Sequence, residues 1–267
     1  MNDTSKLSIV QYTRDLGCKL RHFCKTSMVY HEHASGFEQK DAWYALLALL
    51  LSAVGITIVS LPFVSTYTQS HEAIHHFWVN WPIYISLLLN AVIVVGIVFI
   101  LVRVKSQKIL SLGLGKKNIL KSLGLAVAMC AVFSLFHIGR IFSDHYTFST
   151  SMLAPTISLL FVASFKEELL FRAYVGPRFY GIFKDKGLSV FVTGLSFAAM
   201  HIITRIGAVV MGFDHNWILS ELIILMVIWV IFHALYHWLY AKYNNIWGPT
   251  LLHAYRNFLP LAFVASY

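Results

Sequence analysis

Three short stretches place acid–base side chains inside otherwise apolar sequence. They read Phe165-Lys166-Glu167-Glu168-Leu169-Leu170-Phe171-Arg172, Phe197-Ala198-Ala199-Met200-His201 and His253-Ala254-Tyr255-Arg256-Asn257. A carboxylate near imidazoles can take a proton from water, and an amide or imidazole N–H can hold a developing oxyanion. Two His with one or two Glu are equally a ligand set for Zn²⁺ with a position left for water. On a helix Glu168 and Arg172 are i,i+4 neighbours and can pair, whereas Glu167 points about 100° away from Glu168 and needs another partner. His253 and Asn257 share a face by the same spacing. No serine or cysteine stands where a nucleophile beside these histidines would be, which disfavours acyl-enzyme chemistry. Each stretch also has a plainer reading. The charges around Glu167 can mark a solvated helix end, His201 can be a hydrogen-bonded packing residue, and His253 with Asn257 can bond across helices.

The elements that position these groups follow from composition. The chain has 267 residues, 58% of them hydrophobic and only 12% charged. Its mean hydropathy is +0.67. Too few polar side chains exist to cover a water-facing surface, so a soluble enzyme, a coiled coil and a disordered chain are excluded. The expected fold is all-α, a polytopic helical membrane protein whose later spans hold the polar groups, so that function is expected in its C-terminal half. Seven apolar runs are near the length that crosses a hydrocarbon core: 42–64, 82–102, 120–141, 151–174, 188–206, 217–240 and 246–267. The chain divides into a basic segment 1–41, N-terminal spans over 42–141 and a catalytic core over 151–267.

Net charge is +9, and its placement gives orientation. Six Lys/Arg precede the first span and six lie in 103–121, while 65–81, 142–150 and 207–216 have none. The N-terminus is therefore expected in the cytoplasm. The basic residues suit anionic lipid, and no basic patch alternates with aromatics as a nucleic-acid partner would require. Cys18, Cys24 and Cys130 form no ligand spacing and no disulfide framework. Depth poses a difficulty. Counted from Leu188, His201 lies about 20 Å along its helix, while Glu167 and His253 lie about 10 Å from their cytoplasmic ends. Levelling them requires the fifth helix to begin earlier, near Phe183, or to start above the membrane.

Taken together, Glu167-Glu168-x-x-x-Arg172, Phe197-x-x-x-His201 and His253-x-x-x-Asn257 resemble the ordered motifs of the CAAX protease and bacteriocin-processing (CPBP, or Abi) family of intramembrane endopeptidases, which includes the type II CAAX prenyl endopeptidases. The contexts Glu-Glu-Leu-Leu-Phe-Arg-Ala and Ile-Trp-Gly-Pro-Thr-Leu-Leu-His also look alike, and the likeness covers residues 155 to 260. The resemblance implies a conical or bundled catalytic core in the C-terminal half, with Glu167, His201, His253 and Asn257 as catalytic residues, supported by Glu168, Arg172 and Phe197. In that scheme Glu167 activates a water held with His201 and His253, and Asn257 with His253 holds the oxyanion. If a metal is used, Glu167, His201 and His253 are its ligands, with Zn²⁺ the expected ion, and a metal-free glutamate mechanism uses the same atoms. The implied partners are membrane lipid and a peptide or protein substrate, and the implied location is a bacterial plasma membrane.

Two departures stand out. Ala173 replaces the usual glycine after the motif arginine. His233 and His237 stand where relatives carry small residues; as i,i+4 neighbours they can add polar groups to the site or alter how tightly helices pack, and their proximity to Tyr240 and Lys242 also reads as a membrane-surface pair. His71-Glu72-Ala73-Ile74-His75 matches the zincin string H-E-x-x-H. It falls in an expected outside loop without a third ligand and reads as a solvated segment. The competing function is a non-proteolytic membrane scaffold or bacteriocin self-immunity protein of the same fold, and the intact motif set favours the enzyme.

Overall fold

A computed structural model describes residues 25, 27–60, 81–136, 146–148, 153–210 and 219–265. The described residues are helical apart from one small ribbon. Helix α1 spans Met28–Ser35, α2 Gln39–Ser60 and α3 Trp81–Val104; a 3-10 turn covers Ile109–Leu112; α4 spans Ile119–Phe136. Strand β1 is Tyr146–Phe148. Helix α5, Leu153–Glu167, continues through a wide π-helical segment, Glu168–Val175, into α6, Gly176–Phe183. Then come α7 (Lys186–Val210), α8 (Leu219–Tyr243), α9 (Trp247–Ala262) and β2 (Phe263–Ala265), which pairs antiparallel with β1.

Among the described residues, four helices are long and apolar enough to cross a membrane: Gln39–Ser60, Ile85–Val104, Lys186–Ile203 and Ser220–Tyr243. The protein is an integral membrane protein. Its packing is that of a chain solvated by lipid. On α2 the buried residues are Asp41 at its start, then Ala42, Ala45, Ala48 and Ser52, while Leu46, Leu47, Leu50, Leu51, Val54 and Ile58 face outward. Small side chains let backbones approach, and large aliphatic ones meet acyl chains at no cost. The H-E-x-x-H string 71–75 lies outside the described residues.

The expected end of the fourth span at Tyr174 is corrected. The helix runs on to Phe183. Pro177 sits in the first turn of α6 and has no N–H to give, and Gly176 donates to Phe171 O, five residues back rather than four. The ladder widens instead of breaking. Lys184, in the left-handed conformation, ends the helix, and Asp185 Oδ1 accepts from Leu188 N to start α7. From Glu167 to Phe183 is about 24 Å of helix and from Lys186 to His201 about 22 Å. Glu167 and His201 therefore stand level across the hairpin: the fifth helix begins at Lys186, two residues before the expected Leu188, and the larger part of the levelling comes from the fourth helix running on to Phe183. Helix α9 begins alongside the middle of α5, where Trp247 stacks on Phe165 and Phe161.

Polar contacts fasten the remaining pieces. Asn245 Nδ2 donates to the Gly115 and Lys117 carbonyls while its Oδ1 accepts from Trp247 N, which pins the start of α9. Buried Arg178 donates to Tyr174 O and to Gln107 Oε1, and Gln107 passes the connection to Asp41 at the start of α2. Ser27 caps α1, and Tyr30 docks it by a 2.7 Å bond between its hydroxyl and His237 Nε2.

Close backbone contact between α9 and α4 has a measurable consequence. A Cβ on Gly248 would lie 2.6 Å from the Ser122 carbonyl oxygen, whereas one on Gly96 would meet nothing within 4 Å. Gly248→Ala is expected to cost about 1–3 kcal/mol by overpacking. Gly96→Ala should be neutral or mildly stabilising. Thermal unfolding in detergent compares the two, and equal melting temperatures would show that the helices have room to part.

Candidate active site

The site is built on four helical elements. Glu167 ends α5 and Glu168 opens the π segment, so the two carboxylates leave the helix in different directions. Glu168 is fully buried, and its Oε1 lies 3.3 Å from Arg172 Nη1, one turn on and equally buried. The same oxygen accepts a 2.8 Å hydrogen bond from His253 Nδ1 on α9. A solvated helix end is therefore not what these charges form. The Arg172 guanidinium is sandwiched by aromatics, with Phe197 at 4.4 Å and Tyr236 at 5.2 Å. Its nitrogens make no hydrogen bond among the described residues. Charge and rings, rather than oriented hydrogen bonds, hold it.

Glu167 turns to the other side. Its Oε2 lies 3.7 Å from His253 Nε2 and 3.9 Å from His201 Nε2. His201 comes from α7 and is oriented by its own helix, Nδ1 donating 2.9 Å to Phe197 O. The Phe197 ring packs at 4.5 Å on the His201 ring and faces Arg172, so one phenyl supports both. Stacked Tyr236 backs His253 at 4.8 Å. Because both Nδ1 atoms donate to oxygen, each neutral ring turns its Nε2 lone pair toward Glu167. Side-chain exposure is 23% for Glu167 and 33% for His201 against 5% for His253. Water thus reaches the carboxylate while the second histidine stays enclosed.

A cavity of about 210 Å³ opens here, lined by Glu167, Phe197, His201, Trp229, Phe232, Tyr236, His253, Arg256 and Asn257. A second, of about 170 Å³ and mostly apolar, meets the other side of Glu167 and His201 and is walled by Ile56, Val94, Leu170, Phe171 and Met200, with Lys166. All four of Glu167, His201, His253 and Asn257 line the first cavity. Phe197 lines it with them, and Glu168 and Arg172, both fully buried, stand behind.

The metal expectation was set against this geometry. The donor types suit Zn²⁺, but ligands bonded at 2.0–2.1 Å in a tetrahedral shell sit about 3.3–3.4 Å apart, closer than the gaps to Glu167. Among the described residues no group of three or more His, Cys, Asp or Glu side chains is placed to hold a metal ion. The residues do not fit the ion as they stand.

Sequence reading missed part of the cavity wall. Trp229, Phe232 and Tyr236 lie on one face of α8 at i, i+3 and i+7, a signal present in the sequence but indistinguishable there from a packing stripe. His233 and His237 are buried between helices, as their reading as packing residues expects, and each fills space over a glycine. A Cβ at Gly176 would lie 2.9 Å from His237, and one at Gly194 would lie 3.2 Å from His233. Glycines on α6 and α7 make room for the imidazoles of α8.

Comparison with known proteins agrees with the resemblance read in the motifs. Residues 148–259 match the Rce1-like family, described as type II CAAX prenyl endopeptidase Rce1-like. The matched segment runs from the end of β1 through α9 to Leu259 and contains every residue that lines the first cavity, whereas Ile56 and Val94 of the second lie outside it. No curated protein and no solved structure matches the chain.

Proposed function

We propose that the protein is an intramembrane endopeptidase that cleaves membrane-associated peptides or protein C-termini near the cytoplasmic face, prenylated CAAX-type tails being the first candidates. The observation that carries this reading is the meeting of Glu167 with the two imidazole Nε2 atoms, from three helices, at a cavity that water reaches. Gaps of 3.7–3.9 Å are too long for a hydrogen bond and have room for a bridging water. Its two hydrogens go to Glu167 Oε2 and His201 Nε2, leaving its oxygen to accept from His253 Nε2 when that ring carries a second proton. That oxygen is the attacking water.

In this mechanism Glu167 takes the proton as the water attacks the scissile carbonyl and returns it to the departing amine, so the proton balance closes on one side chain. His201 holds the water by its Nε2 lone pair. His253, fixed by Glu168 at Nδ1, offers Nε2 to the reacting oxygens and donates when it carries a second proton. Asn257 supplies the neutral oxyanion donor. Orientation with the N-terminus in the cytoplasm follows the Lys/Arg asymmetry of the loops. A bacterial plasma membrane remains the setting that the family resemblance implies.

The test is cleavage of prenylated CAAX peptides by the full chain in liposomes. His201→Ala and His253→Ala should each lose activity by about 10²–10⁴-fold. Absence of cleavage by the wild type would remove the enzyme reading and leave the scaffold, and retained cleavage in both variants would take the chemistry away from these histidines. Chelator followed by metal add-back decides whether an ion joins the same side chains: loss and recovery would show that the site closes on a metal.

A further inference from the structure

We infer that Arg256 is the positioning residue for Asn257, orienting and polarising its amide for the oxyanion; this rests on the hydrolytic reading of the site. Arg256 Nη1 donates to Asn257 Oδ1 at 3.2 Å. A guanidinium carries five N–H donors and no acceptor, so it can meet only the oxygen end of an amide. That bond decides which way Asn257 presents itself. Oδ1 is engaged, and the Nδ2 group is the end left for the cavity that both side chains line. Rotated by 180°, the same amide would offer a carbonyl oxygen, which repels an oxyanion. The bond is also charge-assisted. It draws electron density toward Oδ1 and strengthens the N–H bonds at the other end as donors.

Neighbours one residue apart on a helix do not face each other, so this contact needs an outside support. Phe232 on α8 provides it, with the Arg256 guanidinium carbon 4.4 Å from its ring centroid. The ring holds the guanidinium flat without neutralising it, and the full charge stays available to the amide. A lysine would bring the charge but not the planar fork. The sequence shows Arg256 next to Asn257. It does not show that the arginine folds back over another helix to grip its neighbour.

A double-variant cycle on the full chain in liposomes, with a prenylated CAAX peptide as probe, tests this. Arg256→Met keeps the apolar stem over Phe232 and removes the donors. It should lower kcat about 10- to 100-fold, the range of a hydrogen bond to a charged group, with KM little changed. In an Asn257→Ala background the same substitution should have no further effect, because it acts through the amide. Arg256→Lys should recover part of the loss. Independent losses that add in the double variant would overturn the inference. So would an effect confined to KM that disappears when the peptide's C-terminal carboxylate is amidated, which would make Arg256 a substrate contact instead. If Glu167→Gln abolishes cleavage but Asn257→Ala does not, the inference fails while the protease reading stands. If neither matters, both fall.

Discussion

Glu167→Gln is expected to lower peptide cleavage by about 10²–10⁴-fold under the proposed mechanism and to leave a protein that folds and inserts as before. Glutamine has the shape of glutamate and still reaches toward His201 and His253, but it cannot accept a proton. The substitution spares the fold because Glu167 is not part of the buried ion pair. Its Oε2 stands 3.7 and 3.9 Å from the imidazoles, beyond hydrogen-bond reach, and its side chain is 23% exposed. No structural hydrogen bond to Glu167 is therefore lost. The measurement is cleavage in liposomes beside thermal unfolding in detergent. Full cleavage by the variant would mean that another group is the base. A large fall in melting temperature would mean that Glu167 is structural.

Arg172→Ala has the opposite profile: its largest effect is on stability. Glu168 and Arg172 are both fully buried, 3.3 Å apart. Removing the guanidinium leaves an uncompensated carboxylate out of water and a cavity between Phe197 and Tyr236. Breaking such a pair from one side costs about 3–5 kcal/mol, whereas replacing both partners by neutral groups of similar size is far milder. Arg172→Ala should then yield little folded protein, and Arg172→Met combined with Glu168→Gln should regain most of the stability. The double variant should stay impaired in cleavage, because His253 Nδ1 loses its ionised partner. A single Arg172→Ala variant as stable as the wild type would show that the pair is hydrated and contributes little.

These two predictions separate residues that look alike in the sequence. Glu167 and Glu168 are adjacent carboxylates in one apolar run, and spacing alone assigns a partner only to Glu168. The division of labour arises because the helix turns about 100° between them, so one side chain faces the water-reached cavity and the other faces Arg172 and His253. The same sorting explains why His201 and His253 differ. The first is held by a carbonyl of its own helix and stays partly exposed; the second is held by a carboxylate of another helix and is enclosed.

Much of the architecture was written locally. Long apolar runs determined a helical membrane protein, because backbone groups in lipid must be satisfied within the segment. Helical periodicity determined that Glu168 meets Arg172 and that His253 and Asn257 share a face, because i,i+4 neighbours are set by the helix itself. The order of the motifs carries the likeness to the type II CAAX prenyl endopeptidase family that residues 148–259 match. What the tertiary structure alone decided are the contacts between helices: Glu168 to His253, Arg172 between Phe197 and Tyr236, His233 and His237 buried over glycines, and Arg256 folded back over Phe232. Helix α5 illustrates the boundary between the two. Pro177 is visible in the sequence as a helix breaker, yet here it widens the helix and lets it run to Phe183, which brings Glu167 level with His201. Whether a proline breaks or widens a helix depends on what packs around it. All eight residues of the widened segment are buried against neighbouring helices, and crossing points of that kind belong to no single stretch of chain.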